Sequence, residues 1–454
     1  MTLLSADHAL EVCQALVDAS PADETEVTLQ SEEDRFARFS PEGPSQNADR
    51  ERHWLSIRAR LHTEAGWKEA RATVGTLDED DARAALGRAM ALAGAAAPDP
   101  DRLPLAGAVE IPGSAPHRPT QDHSFREKAE WIEAAMSRCA QAELAPAGLA
   151  RTTVYTRTLI NSAGRVAEGA LSRAHFSLTA SPTDGSGDAG VAEQTHCDVT
   201  RIDVDEVISR AVDRGTRGRN PKPIPAQEYT VVLEPLAVSS LMLFLSYVGL
   251  GAEELHLKAS PLVGRIGERI FPEDLQLYDD AGHVDHPGWR FDGEGTPRSR
   301  VALISDGAFG LPVTDARWAR TLDLPDTGHS APQPNSKGPA PENLVLAAGN
   351  ESMEQLISGV DNGLLISQFH YTNLMEPRDM ILTGMTRGGT FQIQGGKVTD
   401  SVCNLRFTQS LVEALKQVTG IGRRQEIVGA LFDGEIVCPA LRLDGFRFTS
   451  TTEI

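Results

Sequence analysis

The sequence predicts an α+β protein, with an N-terminal α/β region followed by a mostly β C-terminal domain that carries inserted helices. Three observations lead there. A chain of 454 residues exceeds the roughly 250–300 residues at which single hydrophobic cores stop growing, so it divides. Its first half alternates period-two apolar patterns, the mark of half-buried strands, with helical spacing. Beyond Gln227 the pattern changes to short apolar runs separated by Gly and Asp, which read as strands joined by turns. The division falls at 1–225 and 226–454, with a sub-boundary near 98–119.

In chain order, 26–30 (EVTLQ) and 54–62 (WLSIRARLH) alternate as strands. Residues 78–97 open with acids and continue rich in Ala and Leu, a helix with its negative charge at the favourable N-terminal end. Proline-rich 98–119 is a connector, because proline lacks a backbone donor. Helical spacing resumes over 124–144, 152–162 and 174–180 read as paired strands, 184–190 (DGSGDAG) as a glycine-rich turn and 204–211 as a helix. The basic, proline-rich 214–225 marks a boundary, and strands follow at 229–233, 299–304, 364–369, 390–394, 397–399 and 440–443. Residues 236–250 are apolar almost all round and predict a buried helix, one that buries against a partner as well as its own core. A membrane span is disfavoured, because Glu234 and Pro235 interrupt the apolar run 231–250 near its start. Residues 309–340, rich in Pro, Ser, Gly and Asn, read as a long surface loop.

Hydrophobic residues make up 40% of the chain and charged residues 24%, a balance that permits a substantial interior. The net charge of -21 repels phosphate backbones and argues against nucleic acid as the ligand. Asp7, Glu11 and Asp18 occupy the N-terminus without a basic region, so no secretory signal is read and a cytoplasmic protein is expected. Cys13, Cys139, Cys197, Cys403 and Cys438 are scattered, odd in number and free of C-x-x-C, which predicts buried free thiols.

A search for chemistry is mostly negative. Neither His-Glu-x-x-His nor His-Glu-x-x-x-His occurs. His283 and His286 lie close together in DAGHVDHPGW beside Asp279, Asp280 and Asp285, where a solvated acidic loop is the simpler reading and a surface metal site the sharper one. G-x-S-x-G is absent, Ser186 lacks a strand-to-helix context, and nothing in the sequence brings a histidine to Cys403. No catalytic residue and no metal ligand is assigned. The most unusual segment is 368–397, where a strand ends at His370 and Tyr371, Asn373 follows on a polar tip, and Arg387 precedes Gly388 and Gly389. This reads as a hairpin-like element whose glycines permit close backbone approach and whose polar side chains present hydrogen-bonding groups. Binding of an extended peptide by strand addition and a purely structural crossover fit it equally.

Several short motifs, in order, resemble the TldD/PmbA (TldD/TldE) family. Residues 359–366 (GVDNGLLI), 383–391 (TGMTRGGTF) and 394–398 (QGGKV) are similar to the family's GLLV strand, TGxxSRG turn and ENGxI ending. Upstream, 267–270 (GERI), Asp279-Asp280, 291–297 (FDGEGTP) and 304–307 (ISDG) match its pattern in the same order, and 404–408 and 439–450 resemble its closing strands. The resemblance implies a peptidase-related protein. In TldD-type members the helix after the strand at 229–233 bears His-Glu-x-x-x-His, whose histidines bind zinc while the glutamate serves as general base. Here that stretch reads VVLEPLAVSSLMLFLSYVG, without histidine, and Cys438 lies closer to the final strand than the family's third zinc ligand. The resemblance therefore implies a TldE-like subunit with no cofactor of its own, a zinc-bearing TldD-type partner, and extended or unfolded peptide as substrate. His370, Tyr371, Asn373, Arg387, Gly388 and Gly389 are the expected substrate-binding residues. Residues 369–373 (FHYTN) depart from the enterobacterial PmbA pattern, which points to a divergent branch. Two alternatives remain: a TldE-like hydrolase of peptide-derived specialised metabolism, and a regulatory binding protein acting on gyrase or an antitoxin.

Overall fold

The computed structural model describes residues 4–430 and 434–452. Strands Glu24–Ser40 (β1), Gly43–Thr63 (β2), Gly66–Val74 (β3), Leu144–Asn161 (β4), Val166–Pro182 (β5) and Gly190–His196 (β6) form one antiparallel sheet of order β3-β2-β1-β4-β5-β6. Helices Ala6–Asp18 (α1) and Glu79–Ala95 (α2) cover one end of a face, burying Val27, Leu29, Leu55 and Ile57. Phe125–Gln141 (α4) and Val204–Arg217 (α5), preceded by the short Arg118–Asp122 (α3), cover the other end around Phe39, Phe176 and Leu178. Side-chain caps start several of these helices. Asp78 caps α2 by accepting from the amides of Asp80 and Asp81, and Ser124 and Glu127 form a capping box on α4.

β1 and β2 are far longer than the patterns at 26–30 and 54–62 indicate. The run Glu32-Glu33-Asp34-Arg35 breaks the apolar alternation, yet it continues β1, because its charges are matched across strands: Asp34 accepts from Arg151 Nε at 2.7 Å. The face opposite the helices is correspondingly polar. Arg58, 1% exposed, joins Glu69 on β3 at 2.6 Å and Glu294 of the C-terminal region at 2.9 Å.

Beyond α5 the strands are Glu228–Leu233 (β7), Leu277–Asp279 (β8), Val301–Ser305 (β9), Ala308–Phe309 (β10), Leu344–Leu346 (β11), Asn362–Glu376 (β12), Ile381–Gln394 (β13), Lys397–Ser401 (β14), Leu405–Ser410 (β15), Val418–Ala430 (β16) and Gly434–Thr451 (β17). They build an 11-stranded mixed sheet, in which β7 pairs in parallel with β12 and antiparallel with β17. The pairings β7-β12-β13-β15-β17-β7 therefore close into a ring. Inside it Val231, Leu233, Leu364, Ile366, Phe407 and Leu441 share one core, while Val232, Leu365, Phe391 and Ile393 pack in another. Burial on both faces explains why β7 reads as a continuous apolar run rather than an alternation. Helices Pro235–Val248 (α6), Ala252–His256 (α7), Ala316–Leu322 (α8), Met353–Ser358 (α9) and Leu411–Lys416 (α10) are inserted between these strands. Helices and many strands in mixed sheets make this the α+β architecture expected.

Three local expectations are corrected. Residues 309–340 are not simply a surface loop: they carry α8, and His329, Ser330 and Gln333 are buried. Their polar groups are satisfied internally, His329 Nε2 lying 3.0 Å from the buried Asp279 carboxylate, which Arg298 also contacts at 2.8 Å. The segment at 279–286 is likewise not a solvated loop, since Asp279 and His286 are buried and His196 Nε2 of β6 meets Asp285 at 3.3 Å. Arg214, read as part of a boundary, belongs to α5 and is buried.

Candidate functional site

The segment 368–397 is a true hairpin of β12 and β13, continued by β14, and two irregularities shape it. Register runs from Ile366↔Thr390 to Gln368↔Arg387, so β13 carries Gly388 and Gly389 as a bulge opposite Ser367. Their φ angles of 71° and 125° lie in the region that side chains avoid, and a Cβ on Gly389 would sit 2.9 Å from Ser367 Oγ. The second irregularity lies between His370 and Asn373, where Tyr371 adopts φ 50° and Asn373 Nδ2 donates to Tyr371 O at 3.0 Å. Tyr371 is 68% exposed and its ring stands edge-on to His370 at 4.3 Å.

Arg387 Nη1 donates to His370 Nε2 at 2.6 Å. That bond uses the Nε2 lone pair, so the neutral ring carries its proton on Nδ1. Partial burial and then the Arg387 charge push the imidazole below its ordinary range, against an opposing pull from Asp188. Asp188, in the β5–β6 turn, was not singled out from the sequence. Its Oδ2 accepts from Gly388 N at 2.9 Å and from Asn404 Nδ2 at 3.1 Å, while Asn404 Oδ1 accepts from Thr386 and Thr390 at 3.1 and 3.2 Å. The only sequence signal for Asp188 was its place in DGSGDAG; Asn404 lay within a closing-strand motif and gave no chemical signal.

Beneath the bulge lies a buried charge pair. Arg214 of α5 donates to Val191 O and to Glu234, the residue preceding α6. Burial alone would raise the Glu234 carboxyl, but Arg214 and Arg210 outweigh it and hold the group below the ordinary carboxylate range. Ser367 of β12 also faces the Glu234 carboxylate and helps to hold it ionised. The N-terminal region thus reaches the hairpin directly through Asp188, and reaches the start of α6 beside it through Arg214.

β7 pairs with β12 only over residues 363–366, and Glu234 N donates to Ile366 O at 3.0 Å. No strand among the described residues pairs with residues 368–376 on that side, leaving an open strand edge beside the His370–Arg387 pair. α6 supplies no metal donors. It bears no His, Cys, Asp or Glu; its Ser239 and Ser240 hydroxyls both donate to Leu236 O, and Ser246 donates to Pro341 O. Cys438 on β17 donates to Pro235 O and is buried, which pushes its thiol well up. These residues do not fit a zinc ion. No three His, Cys, Asp or Glu side chains among the described residues are arranged to hold a metal, and no helix there is long and apolar enough to cross a membrane.

Known proteins share this α+β fold. Residues 226–450 match the PmbA/TldA metallopeptidase C-terminal domain. A metalloprotease of Methanothermobacter thermautotrophicus is 24% identical over 348 residues, 70% of this chain and 73% of that protein. The metalloprotease PmbA of Escherichia coli O157:H7 is 23% identical over 197 residues, 42% of this chain and 40% of that one. The crystal structure of TldE from Thermococcus kodakarensis superposes with a TM-score of 0.85 at 21% identity, covering 97% of this chain and all 100% of that one. The chain belongs to the TldD/PmbA family.

Proposed function

We propose that this protein is a non-catalytic, TldE-type subunit of a TldD/TldE-class zinc metallopeptidase, which shapes the site for extended or unfolded peptides. The observation that carries the reading is the conjunction of the open β12 edge at 368–376 with an α6 that lacks any zinc donor. An extended peptide adds to such an edge through main-chain hydrogen bonds, which accept any sequence, while alternate side chains meet the exposed face. Tyr371, His370 and Arg387 stand on or beside that edge, and Asp188 and the glycine bulge hold them in place. Zinc held by the histidines of a TldD-type partner would supply the Lewis-acid chemistry of peptide hydrolysis. The assembly is a cytoplasmic heterodimer with no nucleic-acid role, in keeping with the acidic chain.

The test is metal analysis and peptide hydrolysis with the purified chain alone and after mixing with a TldD-type chain. Zinc-dependent cleavage in the mixture only is expected. One tightly bound zinc, or turnover, in the isolated chain overturns the proposal. Hydrolysis by this chain itself through His370 is the second reading, and the Arg387 bond weighs against it because the Nε2 lone pair of a would-be base is already occupied.

A further inference from the structure

We infer that Arg387 is the specificity anchor of this edge and takes a carboxylate of the bound peptide, an inference that rests on the peptide-binding reading above. Arg387 is exposed, and its one side-chain hydrogen bond goes to His370, a neutral acceptor. Among the described residues no Asp or Glu forms an ion pair with it. The nearby acid, Asp188, is already committed: Oδ2 holds Gly388 N and Asn404 Nδ2, and Oδ1 accepts from Ala189 N at 2.8 Å. The guanidinium therefore has no carboxylate in direct contact and keeps most of its donors, in a planar fork whose geometry suits a carboxylate bidentately.

Its position suits the edge. Gln368 and Arg387 are cross-strand partners, so their side chains share one face, and the Arg387–His370 bond runs diagonally from β13 to β12, the strand whose other edge is unpaired. A strand added there lies about 4.8 Å from β12 and presents every second side chain to that same face. The fork is also held before any ligand arrives, since the adjacent Gly388 amide is fixed by Asp188 and the ring of His370 by Tyr371. With a net charge of -21 the protein as a whole repels acidic peptides, so a carboxylate preference must come from a local cation and not from the general field. The carboxylate is either the peptide's C-terminus or an acidic side chain.

The experiment uses the full chain, alone and paired with a TldD-type chain, and fluorescence anisotropy of a labelled peptide of alternating Thr and Val. Three forms separate the sources: the free acid, the C-terminal amide, and the amide with one central Glu. At least one carboxylate form should bind about tenfold more tightly than the neutral amide. Arg387→Gln should abolish that difference, Arg387→Lys should keep part of it, and Arg88→Gln, the same charge change on distant α2, should leave it intact. Unaltered thermal unfolding of the two Arg387 variants shows that they fold. Equal binding of all three peptides, or a preference that survives Arg387→Gln, overturns the anchor while leaving strand addition standing. Failure of every peptide to bind overturns both.

Discussion

Replacing Glu234 with Leu removes the counter-charge of a guanidinium that has nowhere else to go. The Arg214 and Glu234 side chains are 8% and 11% exposed, and they join α5 of the N-terminal sheet to the start of α6. Taking away one partner of a buried ion pair costs about 3–5 kcal/mol, because the other charge stays desolvated. Arg214 retains Val191 O as an acceptor, which places the cost near the lower end, about 3 kcal/mol. That is a large part of the ~5–15 kcal/mol by which folded domains are stable. Arg214→Met should cost a similar amount, somewhat softened because Arg210 also lies near the carboxylate. The double variant, with two apolar side chains of comparable volume, should cost clearly less than the two singles added together. Unfolding at neutral pH in urea, which is uncharged and adds no ionic screening, measures all three. The Glu234 carboxyl is held below its ordinary range when folded, so its contribution is present above the unfolded value near ~4.3 and fades as the pH falls through the folded one. The penalty of Glu234→Leu should shrink accordingly on acidification. A single-variant cost below about 1 kcal/mol at neutral pH, or simple additivity in the double variant, would refute the reasoning.

Other expectations follow from the same geometry. Gly389→Val places a side chain at φ 125° against Ser367 and Phe391; it should destabilise by about 1–3 kcal/mol and weaken peptide binding, read by urea unfolding and anisotropy. Asp188→Ala frees the Gly388 amide and Asn404; peptide affinity should fall while the thermal midpoint changes little, and a wild-type affinity would argue against the turn as a support of the site. Glu193, half-buried on β6 and accepting from Gly429 N, has its carboxyl pushed up to about 7, chiefly by desolvation. Raised above its unfolded value, it lowers stability as pH rises from about 4.5 toward 7, by at most roughly 3 kcal/mol. Glu193→Gln should flatten that part of the pH–stability curve and leave the variant more stable than the parent above pH ~7; identical curves would contradict the burial argument.

Elements with strong local patterns were legible. The acid-led helix at 78–97 appears as α2, and the apolar run at 229–233 as β7. The hairpin over 368–397 was readable because two apolar strands flank glycines that can adopt the conformations a bulge requires. Less legible were β1 and β2, whose charged middles break the alternation expected of a strand with one wet face. Their second face is not wet: it packs Arg58 and Glu26 against Glu294 and Arg71, so these charges are paired inside. The 309–340 segment misled for the same reason, since its polar composition resembles a solvated loop while His329 and Ser330 find partners inside.

What the sequence determined by itself is therefore the local part: which stretches can be strands or helices, where glycine must stand, and that α6 offers no donor to a metal. The tertiary structure decided which charges are shared. Asp188 meets Gly388 across 200 residues and Asn404 across 216, and Arg214 finds Glu234 from a different element. Propensity and periodicity act over a few residues, whereas a buried charge is tolerable only where a partner folds against it, and that partner is set by the packing of whole sheets.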